Sequence, residues 1–166
     1  MMDDIKRNVS DWEDEDEVAE YLEKILRKET YDKQGLVYGM GHAVYTLSDP
    51  RAVLLKGKAK ELAKEKGYEK ELELYSVVER LTPSIFQRIK NSDKTICANV
   101  DFYSGFVYHM LDIPRDLYTP IFAAARVAGW AAHRIEEIIN GRRILRPAYK
   151  HIRKEAMRYV PLNDRK

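Results

Sequence analysis

Apolar residues recur at helical spacing along almost the whole of this chain, and this periodicity is what most limits its fold. The first clear helix is predicted near residues 14–29, where one face carries Val18, Leu22, Ile25 and Leu26. A second such face, in a helix predicted at about 69–81, carries Leu74, Val77, Val78 and Leu81. A chain of 166 residues is long enough to bury a sizeable core between such helices. The pattern therefore predicts a mostly α fold.

Residues that cap helices mark several of the predicted helix ends. Asp49 followed by Pro50 predicts a helix start, because Asp is a favoured N-cap and Pro is accepted at the first helical position. Gly67 suits the C-terminal end of the same helix. Thr82 followed by Pro83 has the same form, so the sequence predicts that another helix begins there.

The longest apolar helix is predicted to run from Thr119-Pro120 to about Asn140, and it is rich in alanine. Small side chains make this helix slim, so it can pack closely on several sides. Arg126 lies within it, where an unpaired charge would be costly to bury. We therefore expect Arg126 to have a fixed anionic partner, either an internal carboxylate or a ligand.

Residues 31–48 break the helical pattern and contain the first stretch that suggests chemistry. Their glycines, mixed with Val and Tyr, predict a loop with at most a short strand or hairpin. Within this loop His42 follows Gly39-Met40-Gly41, and Arg51 comes nine residues after the histidine. Each also has a plain structural explanation. His42 can be a hydrogen-bonded loop histidine, and Arg51 a solvated surface charge.

The second stretch runs from Asn99 to Gly105 and contains Asp101 among apolar and aromatic neighbours. Shielding from water by those neighbours would raise the basicity of the carboxylate. Asp101 can instead be the N-cap of a helix predicted at about 101–112, since Asp is among the preferred caps. Together, His42, Arg51 and Asp101 are suited to hold a small dicarboxylic acid beside a carbon acid.

Composition and charge narrow the classes of function. A net charge of +2 argues against a dedicated nucleic-acid binder, although residues 142–166 carry nine Lys or Arg, which suit either a polyanion or carboxylates. No run approaches the roughly 20 apolar residues of a membrane span, and no signal peptide opens the chain. A single cysteine, Cys97, favours a reducing, cytoplasmic setting. Four scattered histidines argue against a metal site.

Several segments, in matching order and spacing from about residue 35 to the C-terminus, resemble the citrate synthase family. Gly39 to Arg51 resembles its glycine–histidine–Asp-Pro-Arg segment, and Asn99 to Gly105 its catalytic-aspartate segment. Thr119 to His133 resembles the helix that carries a substrate arginine in the family, and Arg146-Pro147 resembles the segment of its last substrate arginine. Tyr159 to Leu162 resembles the family's usual C-terminal tail.

The resemblance implies roles in condensing acetyl-CoA with oxaloacetate to give citrate. Asp101 would be the general base that removes a methyl proton, and His42 would donate to the carbonyl of oxaloacetate. The other substrate-binding residues it implies are Arg51, Phe122, Arg126 and Arg146. The segment that it places against the adenine of CoA is Val37, Tyr38, Gly39, Met40 and Gly41. Acetyl-CoA is a substrate in this chemistry, and the resemblance implies neither a separate cofactor nor a metal.

The resemblance also implies how the chain is organised. Residues 1–118 would be the small, CoA-facing helical domain, with 1–34 as a helical lead-in, and 119–166 would be a helix and tail of the large domain. The position that Arg146 matches reaches into a partner subunit's site, which implies a homodimer. Relatives are longer and stabilise the enol with a His-Gly-Gly segment, whereas this chain has no Gly-Gly. We therefore expect a C-terminal fragment that is inactive alone.

Two alternatives to a citrate synthase remain open from the sequence. A 2-methylcitrate synthase would use propionyl-CoA, and the residues that admit one more methylene need not lie in this chain. A free-standing helical module would bind CoA without catalysis. Thr46 also departs from many relatives, which carry Lys or Arg there to meet the phosphates of CoA, so those phosphates have no assigned ligand.

Overall fold

The computed structural model describes residues 1–141 and 160–164, and six α-helices dominate them. Their bounds are α1 Met2–Asn8, α2 Glu15–Leu26, α3 Pro50–Lys66, α4 Glu69–Lys90, α5 Val100–Met110 and α6 Tyr118–Asn140. Short 3-10 turns lie at Arg115–Leu117 and Leu162–Asp164. Strand-like pairing in the described part is confined to one antiparallel bridge, between Met40 and Ala98. The mostly α prediction is confirmed.

The chain divides into two compact units, Met1–Phe122 and Ala123–Lys166. The core of the first unit forms where α2 packs on α4 and α3 packs on α5 and α4. The helical face predicted on α2 is buried as expected, together with residues from α4 and α5: Val18, Leu22, Ile25, Leu26, Leu74, Val78, Tyr103 and Phe106. Each large apolar side chain buried in this way stabilises the fold by about 1.5–3 kcal/mol.

A partly buried group of polar contacts joins three helices of this unit. Tyr103 on α5 is fully buried, and its hydroxyl donates to Glu79 Oε2 on α4 at 2.6 Å. Lys56 on α3 donates to the same oxygen at 2.5 Å, and its ammonium lies 5.6 Å from the centre of the Tyr103 ring. Because the phenol reaches a charged acceptor, burying it leaves no donor unsatisfied.

Helix α1 was not predicted as a separate helix, since the sequence analysis covered it only as part of the helical lead-in at 1–34. It has seven residues, of which only Ile5 is fully buried, so it is too short to show a periodic apolar face. Its position depends on contacts with distant parts of the chain. Lys6 donates to Glu71 at 2.7 Å, and Tyr21 donates to Asp4 at 2.6 Å.

The predicted helix start at Thr82-Pro83 is wrong, because α4 continues through Pro83 to Lys90. A proline inside a helix removes one backbone hydrogen bond and costs about 3 kcal/mol. Here Thr82 donates its hydroxyl to the Val78 carbonyl at 2.5 Å, and Val78, Thr82 and Ile85 are all buried on one face. Packing on both sides of Pro83 therefore keeps the helix continuous.

The predicted ends of α3 and the predicted start of α6 are confirmed to within one residue. Asp49 caps α3 by accepting from the Arg51 amide at 3.0 Å, and Gly67 closes the helix with φ of +78°.

Along α6, the side chains from Ala124 to Asn140 are exposed, so the expected close packing on several sides is not made by the described residues. Arg126 is exposed too. The cost of burying an unpaired charge, from which an anionic partner was expected, therefore does not apply to it. In the described part of the chain, no helix combines the length and apolar character needed to cross a membrane.

Candidate functional site

The two stretches that suggested chemistry lie against each other in the first unit. The Gly41 amide donates to the Cys97 carbonyl at 2.7 Å, and the Asn99 amide donates to the Gly39 carbonyl at 2.8 Å. Gly39 has a φ of +83°, and a Cβ added to it would lie 2.7 Å from the Cα of Phe102. Only glycine combines that backbone conformation with so close an approach to α5.

His42 is half-buried in the loop that follows these glycines, and its ring is oriented by backbone donors. Its Nδ1 accepts from the Val44 amide at 2.9 Å and from the Tyr45 amide at 3.0 Å. The Tyr45 ring lies against the imidazole with 4.8 Å between ring centres. A neutral imidazole has one N–H, and with Nδ1 accepting, the proton is on Nε2. The loop therefore presents His42 Nε2–H as a hydrogen-bond donor.

Arg51 is held by Asp49, whose side chain is buried, with 1% of the residue exposed. Arg51 Nε and Nη2 donate to the two carboxylate oxygens at 3.0 and 2.8 Å. These hydrogen bonds lower the pKa of Asp49 to about 2 and hold the pKa of Arg51 above its ordinary value. Arg51 is therefore exposed at the surface, as the plain explanation expects, but its guanidinium is anchored by Asp49.

The guanidinium of Arg51 and the imidazole of His42 meet at 3.2 Å, between Nη2 and Nε2. Guanidinium nitrogens only donate, and the hydrogen bonds at Nδ1 make His42 Nε2 a donor as well. Asp49 Oδ2 accepts from one N–H of Arg51 Nη2, and an acceptor lying beside the two nitrogens would take the other N–H together with that of His42 Nε2. Carboxylate and ketone oxygens are suitable acceptors.

Asp101 lies in the first turn of α5, and its side chain is exposed. The N-cap of α5 is Asn99, whose Oδ1 accepts from the Asp101 amide at 2.9 Å, so the alternative that Asp101 is the cap is wrong. The expected shielding by sequence neighbours is also wrong for this chain, because Phe102 and Tyr103 point into the core. Successive residues of a helix point about 100° apart, so they do not surround one another. The charge of Asp101 acts on Arg51, since it contributes to the raised pKa of that guanidinium.

A cavity of about 430 Å³ opens beside Asp101. Tyr38 and Gly39 line it from the glycine loop, Gly105 lines it from α5, and Tyr75 lines it from α4. Burial raises the pKa of the Tyr75 phenol. Within the described residues, no three His, Cys, Asp or Glu side chains lie close enough together to hold a metal ion. The paired donors of His42 and Arg51 suit the oxygens of an organic acid.

Comparisons with known proteins identify the family of this chain. The family model described as the citrate synthase C-terminal domain matches residues 1–148. The chain belongs to the citrate synthase family. The resemblance found in the sequence is therefore confirmed at the level of the family.

Individual members of the citrate synthase family are similar to this chain over most of its length. A citrate synthase of Synechocystis sp. is 41% identical over 148 residues, which is 89% of this chain and 34% of that protein. A 2-methylcitrate synthase of Shewanella oneidensis is 32% identical over 158 residues, which is 95% of this chain and 38% of that protein. The chain thus spans about a third of the length of the curated relatives it matches.

The family also appears among solved structures. The citrate synthase of Thermoplasma acidophilum, solved as a ternary complex with carboxymethyl coenzyme A and oxaloacetate, superposes with a TM-score of 0.65 at 29% identity. The match covers 99% of this chain and 40% of that chain.

The structure locates most of the other residues assigned from the resemblance but does not show them acting together with His42, Arg51 and Asp101. Of the CoA segment, Val37 is buried, whereas Tyr38 is exposed and its hydroxyl donates to Asp32 at 2.5 Å. Phe122 lies half-buried on α6 in the first unit, and Arg126 lies on α6 in the second unit. Arg146 lies outside the described residues. The substrate roles of these three stay predictions.

Sequence reasoning missed two polar residues of the site. Asp49 was noted only as a helix cap, although its carboxylate also holds Arg51. Asn99 was noted only as the first residue of a motif, although its side chain contacts both stretches. Its amide nitrogen donates to the Gly41 carbonyl at 2.8 Å, and its oxygen accepts from Asp101. A polar residue directly before a helix is the signal that could have identified Asn99 as the cap.

Proposed function

We propose that this chain provides part of the active site of a citrate synthase, which condenses acetyl-CoA with oxaloacetate to give citrate and CoA. The observation that carries the proposal is the convergence of two donors, His42 Nε2 and Arg51 Nη2, at 3.2 Å, close enough to the exposed Asp101 for its charge to act on Arg51. Oxaloacetate offers a ketone oxygen and two carboxylates, which can accept from His42 Nε2 and from the N–H groups of Arg51 that Asp49 leaves available.

In the proposed reaction His42 donates from Nε2 to the ketone oxygen of oxaloacetate, and the ketone carbon becomes more electrophilic. Arg51 donates N–H groups to a neighbouring carboxylate, while Asp49 keeps the guanidinium in place. Arginine suits this task because its planar fork matches a carboxylate. By the family resemblance, Phe122, Arg126 and Arg146 are proposed as further substrate-binding residues.

Asp101 is proposed to take a proton from the acetyl methyl group of the thioester. The resulting enol or enolate carbon then bonds to the ketone carbon, and water hydrolyses the thioester of citryl-CoA to release citrate and CoA. A positioned general base contributes about 10² to 10⁴ to the rate. Residues 37–41 and the cavity beside Asp101 would receive the thioester, with CoA acting as substrate and not as a resident cofactor.

A calorimetric titration of the purified chain with oxaloacetate tests this assignment. We expect His42→Ala and Arg51→Ala each to weaken binding by at least about tenfold, since a hydrogen bond to a charged group contributes about 1.5–3 kcal/mol. Arg80→Ala is the matched control, because Arg80 holds Glu15 through two hydrogen bonds of 2.6 and 2.7 Å but lies on α4 outside this site. Equal affinities in all three variants would contradict the proposed site.

We also propose that the 166-residue chain has no synthase activity alone, because it contains no His-Gly-Gly segment to stabilise the enol. The assay is citrate formation from acetyl-CoA and oxaloacetate, with Asp101→Ala as the background. Citrate formation above that background would contradict this part of the proposal. In the complete enzyme we propose a homodimer, in which Arg146 reaches the partner's site.

The second candidate is a 2-methylcitrate synthase, and the similarity to the enzyme of Shewanella oneidensis favours it. The two reactions differ by one methylene of the acyl group, which a hydrophobic pocket distinguishes by only about 1–3 kcal/mol. Competition between acetyl-CoA and propionyl-CoA for the chain, measured with oxaloacetate bound, separates the two candidates. Binding of CoA without any binding of oxaloacetate would favour a non-catalytic CoA-binding module.

A further inference from the structure

The side chain of Asn99 joins the loop of His42 to the helix of Asp101. Its Nδ2 donates to the Gly41 carbonyl at 2.8 Å, across 58 residues of sequence, and its Oδ1 accepts from the Asp101 amide at 2.9 Å. These partners fix the orientation of the amide group, because a carbonyl can only accept and a backbone N–H can only donate. A flipped amide would place oxygen against oxygen at one end and N–H against N–H at the other.

Each of these two hydrogen bonds controls one peptide plane of the site. The Gly41 carbonyl lies in the same rigid plane as the backbone nitrogen of His42, so holding that oxygen sets the direction in which His42 leaves the loop. Gly41 has a φ of +95°, and a Cβ added there would meet only Ile96, at 3.9 Å. Local packing therefore restrains this glycine little, and its orientation depends on hydrogen bonds.

We propose that Asn99 is a positioning residue that sets the donor His42 and the base Asp101 relative to each other. The functional meaning of this inference rests on the proposed roles of those two residues, but the bridge itself does not. The backbone of Asn99 adds to it, since its amide donates to the Gly39 carbonyl at 2.8 Å. One residue thereby fixes carbonyls on both sides of Met40 and also caps α5.

Two substitutions separate the bridge from the cap. Asn99→Ser keeps an oxygen that accepts from the Asp101 amide, and Ser ranks with Asn as an N-cap, but its short side chain cannot reach Gly41. Asn99→Asp is isosteric and also caps, but it sets a carboxylate oxygen against the Gly41 carbonyl. Asp14→Ser is the matched control, because Asp14 caps a different helix, α2, through the amides of Asp16 and Glu17.

The experiment is ¹⁵N NMR of the 166-residue chain, which reports His42 independently of any enzyme activity. In the wild-type chain we expect the His42 ring to show an unprotonated Nδ1 and a protonated Nε2. In both Asn99 variants we expect a mixture of tautomers and about tenfold faster exchange of the Gly41 amide. Losing the partly buried hydrogen bond to the Gly41 carbonyl releases the Gly41–His42 peptide plane, so the hydrogen bond from the Gly41 amide to Cys97 opens more often and the His42 ring is no longer aligned with the Val44 and Tyr45 amides. Exchange of the α5 amides should be unchanged in both Asn99 variants. In the Asp14→Ser chain, the His42 ring signals and the exchange of the Gly41 amide should match the wild type.

Two results would overturn the proposal. One is a His42 ring and a Gly41 amide that are unchanged in both variants, which would leave Asn99 as a cap only. The other is faster exchange along the whole of α5 in both variants with no tautomer change at His42, which would assign Asn99 to helix stability. If oxaloacetate does not bind the wild-type chain while the tautomer changes as expected, the proposed function fails and the bridge stands.

Discussion

Replacing Gly39 by alanine tests most directly whether the glycine loop is seated on α5. The added Cβ would lie 2.7 Å from Phe102 Cα, 2.8 Å from Phe102 Cβ and 2.9 Å from Phe102 Cδ2. The first of these is a backbone atom of a helix, so it cannot move aside as a flexible side chain would. Alanine would also have to adopt the left-handed φ of +83°.

The expected cost has two parts that add. A left-handed backbone costs a non-glycine residue about 1–2 kcal/mol. Overpacking against a well-packed neighbour costs about 1–3 kcal/mol more. We therefore expect Gly39→Ala to lower the free energy of unfolding by about 2–5 kcal/mol.

Two other glycines isolate these terms. Gly67 has a similar φ of +78° with nothing within 4 Å of an added Cβ, so Gly67→Ala should show the backbone cost alone. Gly57 lies inside α3 with open space around its added Cβ, so Gly57→Ala should stabilise the chain by about 0.5–1 kcal/mol. The free energy of unfolding lost in Gly39→Ala beyond the loss in Gly67→Ala therefore measures the cost of the close contact with Phe102.

Urea denaturation followed by tryptophan fluorescence is the assay. A Trp130→Phe background leaves Trp12, which packs against the core of the first unit, as the reporter. A loss of about 1 kcal/mol also lowers the melting temperature by about 2–4 °C in a chain of this size. If Gly39→Ala costs no more than Gly67→Ala, the loop does not lie against Phe102, and the assembly of the site described above is wrong.

Three further outcomes are expected. The pKa of Asp49 is lowered to about 2 from an ordinary 3.8, so its contribution to stability is complete above about pH 4 and is lost as the pH falls through about 2. Asp49→Asn should therefore flatten the acid limb of a pH titration of stability, and an unchanged limb would contradict the Arg51 pairing. Tyr103→Phe should cost about 1–3 kcal/mol in the same urea assay, because it removes the hydrogen bond from the phenol to the charged Glu79 while Lys56 remains as a donor, and no cost would contradict that hydrogen bond. Pro83→Ala should raise the free energy of unfolding by up to about 3 kcal/mol, because it restores a backbone donor within α4, whereas a loss would mean that the helix is adapted to Pro83.

Local signals predicted the parts of this fold that depend on neighbours in sequence. Asp49 and Gly67 end α3 as expected, because a cap is satisfied within one turn. Pro83 misled the same reasoning, since the buried face around Thr82 outweighs a local helix-breaking preference. Helix α1 has no periodic face, and its contacts reach Glu71 and Tyr21. Such distant contacts leave no local pattern to find.

For the candidate site, too, the sequence predicted what depends on single residues and not what depends on distant contacts. The residue types of His42, Arg51 and Asp101 were evident from the sequence, because their chemistry does not depend on the fold. Their geometry was not evident, because it depends on Asn99 and on hydrogen bonds across 58 residues. The expectation that aromatic neighbours shield Asp101 used proximity in sequence, whereas a helix turns those neighbours towards the core.

The exposure of Asp101 indicates where its basicity must be generated in the proposed reaction. A carboxylate in water is a weak base for a carbon acid, and desolvation is what strengthens it. The described residues provide a cavity beside Asp101 but no cover over it. A thioester lying along Gly39 and Gly105 would itself displace water from this carboxylate, so substrate binding and activation of the base would be one event. Filling that space with Gly105→Val should then weaken binding of acetyl-CoA while leaving the affinity for oxaloacetate unchanged, and equal losses for both ligands would show that the cavity is not the thioester site.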